Sequence, residues 1–149
     1  MKYVVLFPAF VLAGCTSQSL QEVFHPPEIV IATPAVAAPP ADARTVAQFD
    51  TTTAEDRADA MAAPKPAGET RLGKTIATLG SPADPGIWLT TPLVSAPLSG
   101  RVDYNGASVN LELRPSGGEA GSGSQISLPA MRLLNAPLTG LLELTVYKN

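Results

Sequence analysis

The chain is poor in the residues that carry most site chemistry. Among 149 residues it has one cysteine, Cys15, and one histidine, His25. One thiol makes no internal disulfide and no Cys-based zinc site. One imidazole builds no His-rich metal centre. At position 25 it also gives no Ser-His-Asp set to a C-terminal domain. Trp88 is the one tryptophan, and aromatic residues are 5 % of the chain, too few for a large aromatic core or a sugar-stacking cleft. Positive charge is short too. Ten Lys+Arg stand against 13 Asp+Glu, a net charge of −3 that argues against a dedicated nucleic-acid binder. The length allows one modest domain. No cofactor and no metal is expected.

What is present is concentrated at the N-terminus. Lys2 gives a positive start, Tyr3 to Leu12 is an apolar run, and Leu12-Ala13-Gly14-Cys15 follows. About ten apolar residues are too few to span a bilayer as a helix, which needs about 20. The run therefore reads as a secretory signal over residues 1–14. The order Leu-Ala-Gly-Cys resembles the lipobox of bacterial lipoproteins. That resemblance implies lipidation of the Cys15 thiol and a permanent membrane anchor. Thr16 and Ser17 follow the cysteine where inner-membrane retention favours Asp, which implies the periplasmic face of the outer membrane.

Composition changes after the anchor. Residues 15–70 hold seven prolines and much alanine, with eight acidic side chains against three basic. Such a segment buries too little apolar surface to offset its ordering entropy. It reads as a disordered tether with a flexible reach of roughly 40 Å. One short helix is expected near residues 53–63. Thr53 is its cap, Glu55 and Asp56 lie in its first turn, and Pro64 stops it. A helix this short is marginal alone and is expected to fray or to dock weakly.

Residues 71–149 read as a small β-rich domain with six basic and five acidic side chains. Its clearest element is a hairpin turning at Asn105-Gly106, a pair that suits the two positive-φ positions of a type I′ turn. The register pairs Tyr104 with Ala107, Val102 with Val109 and Leu98 with Leu113 on one face. Further strands are expected at residues 75–79, 87–91 and 141–147. A helix is expected at residues 128–134, with Ser127 as its cap and Asn135 in the left-handed position after it. The fold class is mainly β, a small barrel of about five or six strands with one short helix. Closure fits better than an open sheet because it leaves no exposed edge.

Several motifs promise chemistry. Gly68 to Thr75 matches the P-loop pattern G-x-x-x-x-G-K-[ST]. Pro64 and Pro66 precede it in place of a central strand, and a β-branched run follows in place of a helix, so nucleotide binding is not expected. Paired carboxylates support glycoside cleavage, and the candidates are Asp84, Asp103, Glu112, Glu119 and Glu143. Asp103 and Glu112 fall on the solvent face of the hairpin, which marks them as solubilising charges. The glycine-rich loop from Gly117 to Ser124 presents backbone amides. Trp88 reads as core first and as a stacking platform second.

From Ser99 onward the order of elements resembles the second half of the rare-lipoprotein-A family. The shared order is a strand to Tyr104, a return strand to Leu113, Arg114-Pro115, a glycine-rich loop, Gln125-Ile126-Ser127-Leu128, a short helix and a last strand. The family consists of septal lytic transglycosylases built on a double-psi β-barrel, and the resemblance covers about fifty residues. The family's catalytic Asp precedes Arg in an Asp-Arg-Gly-Pro segment. Here Leu113 holds that place before Arg114-Pro115, and the family's histidine has no counterpart. The resemblance implies the fold and a groove watched by Arg114 and Arg132, without the chemistry. The stretch from Leu128 to Thr139 is similar to short lipoproteins labelled galactarate dehydratase, a label for which no metal site or base is supplied. The expectation is a non-catalytic envelope lipoprotein that binds peptidoglycan or another envelope protein. The alternatives are a divergent transglycosylase and a structural accessory subunit. The candidate ligand-binding residues are Arg114, Arg132 and Trp88, and no nucleic-acid partner is expected.

Overall fold

The structure, a computed structural model, describes residues 36–63 and 68–149. The signal segment, Cys15 and His25 lie outside the described residues. The elements in chain order are α1 (Val46–Phe49), α2 (Ala54–Ala60), β1 (Thr70–Leu79), β2 (Trp88–Thr91), β3 (Leu98–Tyr104), β4 (Ala107–Pro115), β5 (Ser124–Ile126), α3 (Leu128–Leu133) and β6 (Leu142–Lys148). The six strands close into a barrel in the order β1-β5-β2-β4-β3-β6. Two pairs, β1 with β5 and β2 with β4, are parallel, and the remaining pairs are antiparallel.

The hairpin β3–β4 has the expected register, Tyr104↔Ala107, Val102↔Val109 and Leu98↔Leu113. Asn105 and Gly106 take φ 47° and 85°, which sets the turn. The alternation then sorts the faces. Val102, Val109 and Leu113 enter the core with Leu89, Ile126, Leu142, Leu144 and Val146. Arg101, Asp103 and Ser108 stay outside. There Arg101 pairs with Asp103, reaches Glu69 at 2.8 Å and lies over the Tyr147 ring at 4.3 Å. α3 buries Ala130 and Met131 in the same core.

Three local expectations change. β1 begins at Thr70 because β6 pairs along its whole length, with a register shift between Arg71 and Gly73. The P-loop-like residues Thr70 to Thr75 are therefore strand, and Lys74 Nζ donates to Glu143 at 2.6 Å. Ser127 sits at the N-cap position of α3 without capping it. Pro129 removes one of the amides a cap would satisfy, and the Ser127 hydroxyl accepts from Trp88 N at 3.0 Å. β5 has no counterpart among the expected strands, because three residues show no period.

The tether reading is corrected over residues 36–63. Here the chain forms α1 and α2 and lies on the barrel. Thr53 and Asp56 close a reciprocal cap on α2. Ala60 is buried in the core cluster, and Asn110 Nδ2 donates to the Ala62 and Asp59 carbonyls at 3.0 and 3.3 Å. Composition averages over such a segment. It does not show that one alanine and a few polar groups find partners far along the chain.

Candidate functional site

Four outward-facing side chains line up across the parallel half of the barrel. Thr78 on β1 is paired with Gln125 on β5, Gln125 with Thr90 on β2, and Thr90 with Arg114 on β4. Residues opposite each other on neighbouring strands share a face. Their chain neighbours Ala77, Leu89, Leu113 and Ile126 are buried inside, so this row lies on the outer surface. It crosses four strands and ends on the one cation, Arg114.

The glycine-rich loop overhangs this row. A cavity of about 560 Å³ is lined by Thr78, Thr90 and Gln125 on one side and by Ser116, Ser122 and loop glycines on the other. Ile76 and Leu141 form an apolar rim, 45 % and 73 % exposed. A smaller hollow of about 280 Å³ adjoins Ile76, Gly121 and Gly123 and is flanked by the Lys74–Glu143 ion pair. Gly117, Gly121 and Gly123 all take positive φ, between 68° and 90°, which lets the loop fold back over the sheet.

The loop is rooted by a chain of hydroxyls. Thr75 Oγ1 and Ser124 Oγ are 2.7 Å apart, and Ser124 Oγ donates to Thr91 Oγ1 at 2.9 Å. Thr91 is fully buried, and its carbonyl accepts from Ser116 N at 3.1 Å. Both ends of the loop are thus tied to β2. The cleft presents hydroxyls, an amide and backbone groups. Among its lining residues there is no carboxylate.

The three residues singled out from the sequence part company. Arg114 closes the row. Its Nε donates to Glu112 at 2.9 Å, its Nη1 reaches Asp84 at 3.2 Å, and its guanidinium lies 5.2 Å from the Trp88 ring centre. Trp88 is 2 % exposed, so the stacking role is corrected. Gly80 packs against the ring, and Trp88 Nε1 donates to the Asp84 carbonyl. Neither Arg114 nor Arg132 is among the residues lining the cleft, but Arg114 is the strand neighbour of its Thr90, whereas Arg132 lies on α3. The Arg132 guanidinium pairs with Asp50 of the N-terminal segment. Sequence reasoning missed Thr78, Thr90 and Gln125. Their one signal is a polar residue between two inward apolar or small ones, as in Ala77-Thr78-Leu79.

The candidate carboxylates are mostly engaged. Asp103 pairs with Arg101, Glu112 and Asp84 with Arg114, and Glu143 with Lys74. A larger hollow of about 640 Å³ lies between α2 and the β3–β4 face. Several of its polar groups are already used: Asp56 caps α2, Asn110 holds it, and Glu112 faces Arg114.

Ionisation ties these pairs to stability. Hydrogen bonding from Arg101 holds the Glu69 carboxyl below its ordinary value of 4.5, and Lys74 does the same for Glu143. The Thr53 amide and hydroxyl lower Asp56 below 3.8. Burial alone would raise Asp50, but the Thr52 hydroxyl, Arg57 and Arg132 outweigh it and lower it. All four groups release their protons more readily folded than unfolded. Their stabilisation is complete above the unfolded values and is lost as pH falls through the folded ones. The urea midpoint is expected to be flat from pH 7 to about 5.5 and to drop below about 4.5, following those ordinary carboxyl values. A midpoint that rises on acidification would contradict these assignments.

Compared with family models, curated proteins and solved structures, the chain finds no match.

Proposed function

We propose that this chain is a lipid-anchored lipoprotein of the outer membrane whose barrel is a non-catalytic module binding peptidoglycan. The observation that carries this reading is the cleft under the glycine loop. It is open, neutral and lined by Thr78, Gln125, Thr90 and loop serines, and Arg114 is the strand neighbour of Thr90 just outside that lining. N-acetylated sugars and their peptide stems offer hydroxyls and amides, which hydroxyl and amide side chains hydrogen-bond as both donors and acceptors. Exposed Ile76 and Leu141 suit the apolar faces of sugar rings.

The lipobox-like Leu12-Ala13-Gly14-Cys15 supports the anchor. The two parallel strand pairs support the likeness to a double-psi barrel. The position matching that family's acid is Leu113, which is fully buried and faces the core. A carboxylate there would have no access to the cleft, which favours binding over cleavage.

Co-sedimentation of the full chain in detergent with purified sacculi tests the proposal. Saturable binding is expected. The double change Thr90→Ala and Gln125→Ala is expected to weaken it about thirtyfold, since each of the two hydrogen bonds contributes about 1 kcal/mol. Arg132→Met is expected to leave it unchanged. No sedimentation, or equal binding by the double variant, would overturn the reading. Release of anhydro-muropeptides would replace it with the enzyme alternative.

A further inference from the structure

Asp50 is the most heavily engaged carboxylate in the described residues. Its side chain is 3 % exposed. It accepts from the Thr52 hydroxyl and pairs with Arg57 of α2 and with Arg132 of α3. Arg57 Nε also donates to Thr52 Oγ1 at 3.0 Å, which closes the cluster. Asp50 and Arg132 are 82 positions apart, so this one group joins the N-terminal segment to the barrel. A second fixing point is Asn110, whose amide takes up the α2 carbonyls Asp59 and Ala62.

Between these two points the segment holds on by little else. Ala60 is its one apolar side chain in the core cluster, whereas Val46 and Met61 are exposed. Beyond the segment the attachment changes character. Glu69 makes two hydrogen bonds to Arg101, at 2.8 and 2.9 Å, and β1 then enters the closed barrel. A part with few buried apolar contacts opens at lower free energy than the core it lies on.

We infer that residues 36–63 form a releasable strap, latched by Asp50 between Arg57 and Arg132, that lets out chain length under tension before the barrel yields. The significance of the length rests on the anchor and wall-binding reading above. A barrel held to the wall and tied through Cys15 to a membrane feels any change in their separation. The strap's 28 residues extend to roughly 95 Å, at about 3.3–3.6 Å each. Opening it lengthens the connection without unfolding the binding module.

Force spectroscopy on the unlipidated chain, with handles at Cys15 and Asn149, tests the latch without needing lipid or ligand. Two steps are expected: an early low-force extension of roughly 95 Å, then a separate barrel event. Asp50→Asn and Arg132→Met are each expected to speed the first step about threefold to fivefold, as loss of a partly exposed ion pair does. The barrel step is expected to stay unchanged in both. Asn110→Ala, which frees the second fixing point, is expected to speed the first step as well. A single all-or-none rupture would overturn the inference. So would a first step indifferent to Asp50→Asn, or a change at Asp50 that weakens both steps alike. Failure of the anchor reading would show separately, as an unmodified Cys15 in the mass of the protein made in its own membrane.

Discussion

Gly100→Val is expected to unfold the barrel, and Gly100→Ala to destabilise it by about 3 kcal/mol, at the upper end of overpacking costs. Gly100 sits where β3 pairs with β4 on one side and β6 on the other, opposite Leu111 and Lys148. A Cβ there would stand 2.5 Å from the Tyr147 carbonyl oxygen and 2.7 Å from Leu113 Cγ, with Leu113 Cδ1 nearer still. The carbonyl belongs to the backbone of a paired strand, and Leu113 is fully buried. Neither yields without opening the ladder or the core. A small domain has only about 5–10 kcal/mol to lose. Gly106→Ala is the control. Nothing lies within 4 Å of its Cβ, and the cost is only that of φ 85°, about 1 kcal/mol. Urea midpoints of the three variants check the order. A neutral Gly100→Ala would show that β3, β4 and β6 do not meet as described.

Cys15→Ser is expected to move the protein entirely from the membrane fraction to the soluble periplasm. Each buried CH₂ of an acyl chain contributes about 0.8 kcal/mol, so two or three chains anchor effectively without dissociation. No helix among the described residues is long and apolar enough to cross a membrane. Fractionation by immunoblot, with a globomycin-type block of signal cleavage as a second arm, checks this. Retention of the serine variant in the membrane would show that another attachment carries the protein.

The sequence disclosed some of this fold and concealed the rest for physical reasons. The β3–β4 register was legible because Asn105-Gly106 fixes the turn, and a slip by one would turn Val102 and Val109 outward. The left-handed Asn135, φ 52°, and the buried face of β6 were legible from local pattern alike. β5 was not, since three residues carry no alternation. For residues 36–63 the short helix was legible from Thr53 and Pro64, but its partners on the barrel were not, because Asp50 meets Arg132 and the α2 carbonyls meet Asn110 far along the chain. The candidate site suffered most. Thr78, Gln125 and Thr90 become a row only through the β1–β5–β2 pairing, two of whose contacts involve that unread strand. Arg114 and Arg132 looked alike as cations near a presumed groove. Their partners, Glu112 and Asp84 for one and Asp50 for the other, give them separate duties.

The most direct test of the central claim is an amide chemical-shift titration of the barrel with soluble peptidoglycan fragments. The account predicts dose-dependent shifts confined to Thr78, Thr90, Arg114, the loop from Ser116 to Gly123 and Gln125, with β3 and the strap unmoved. Saturating shifts centred instead on the hollow between α2 and β4, or none at all at millimolar fragment, would contradict it.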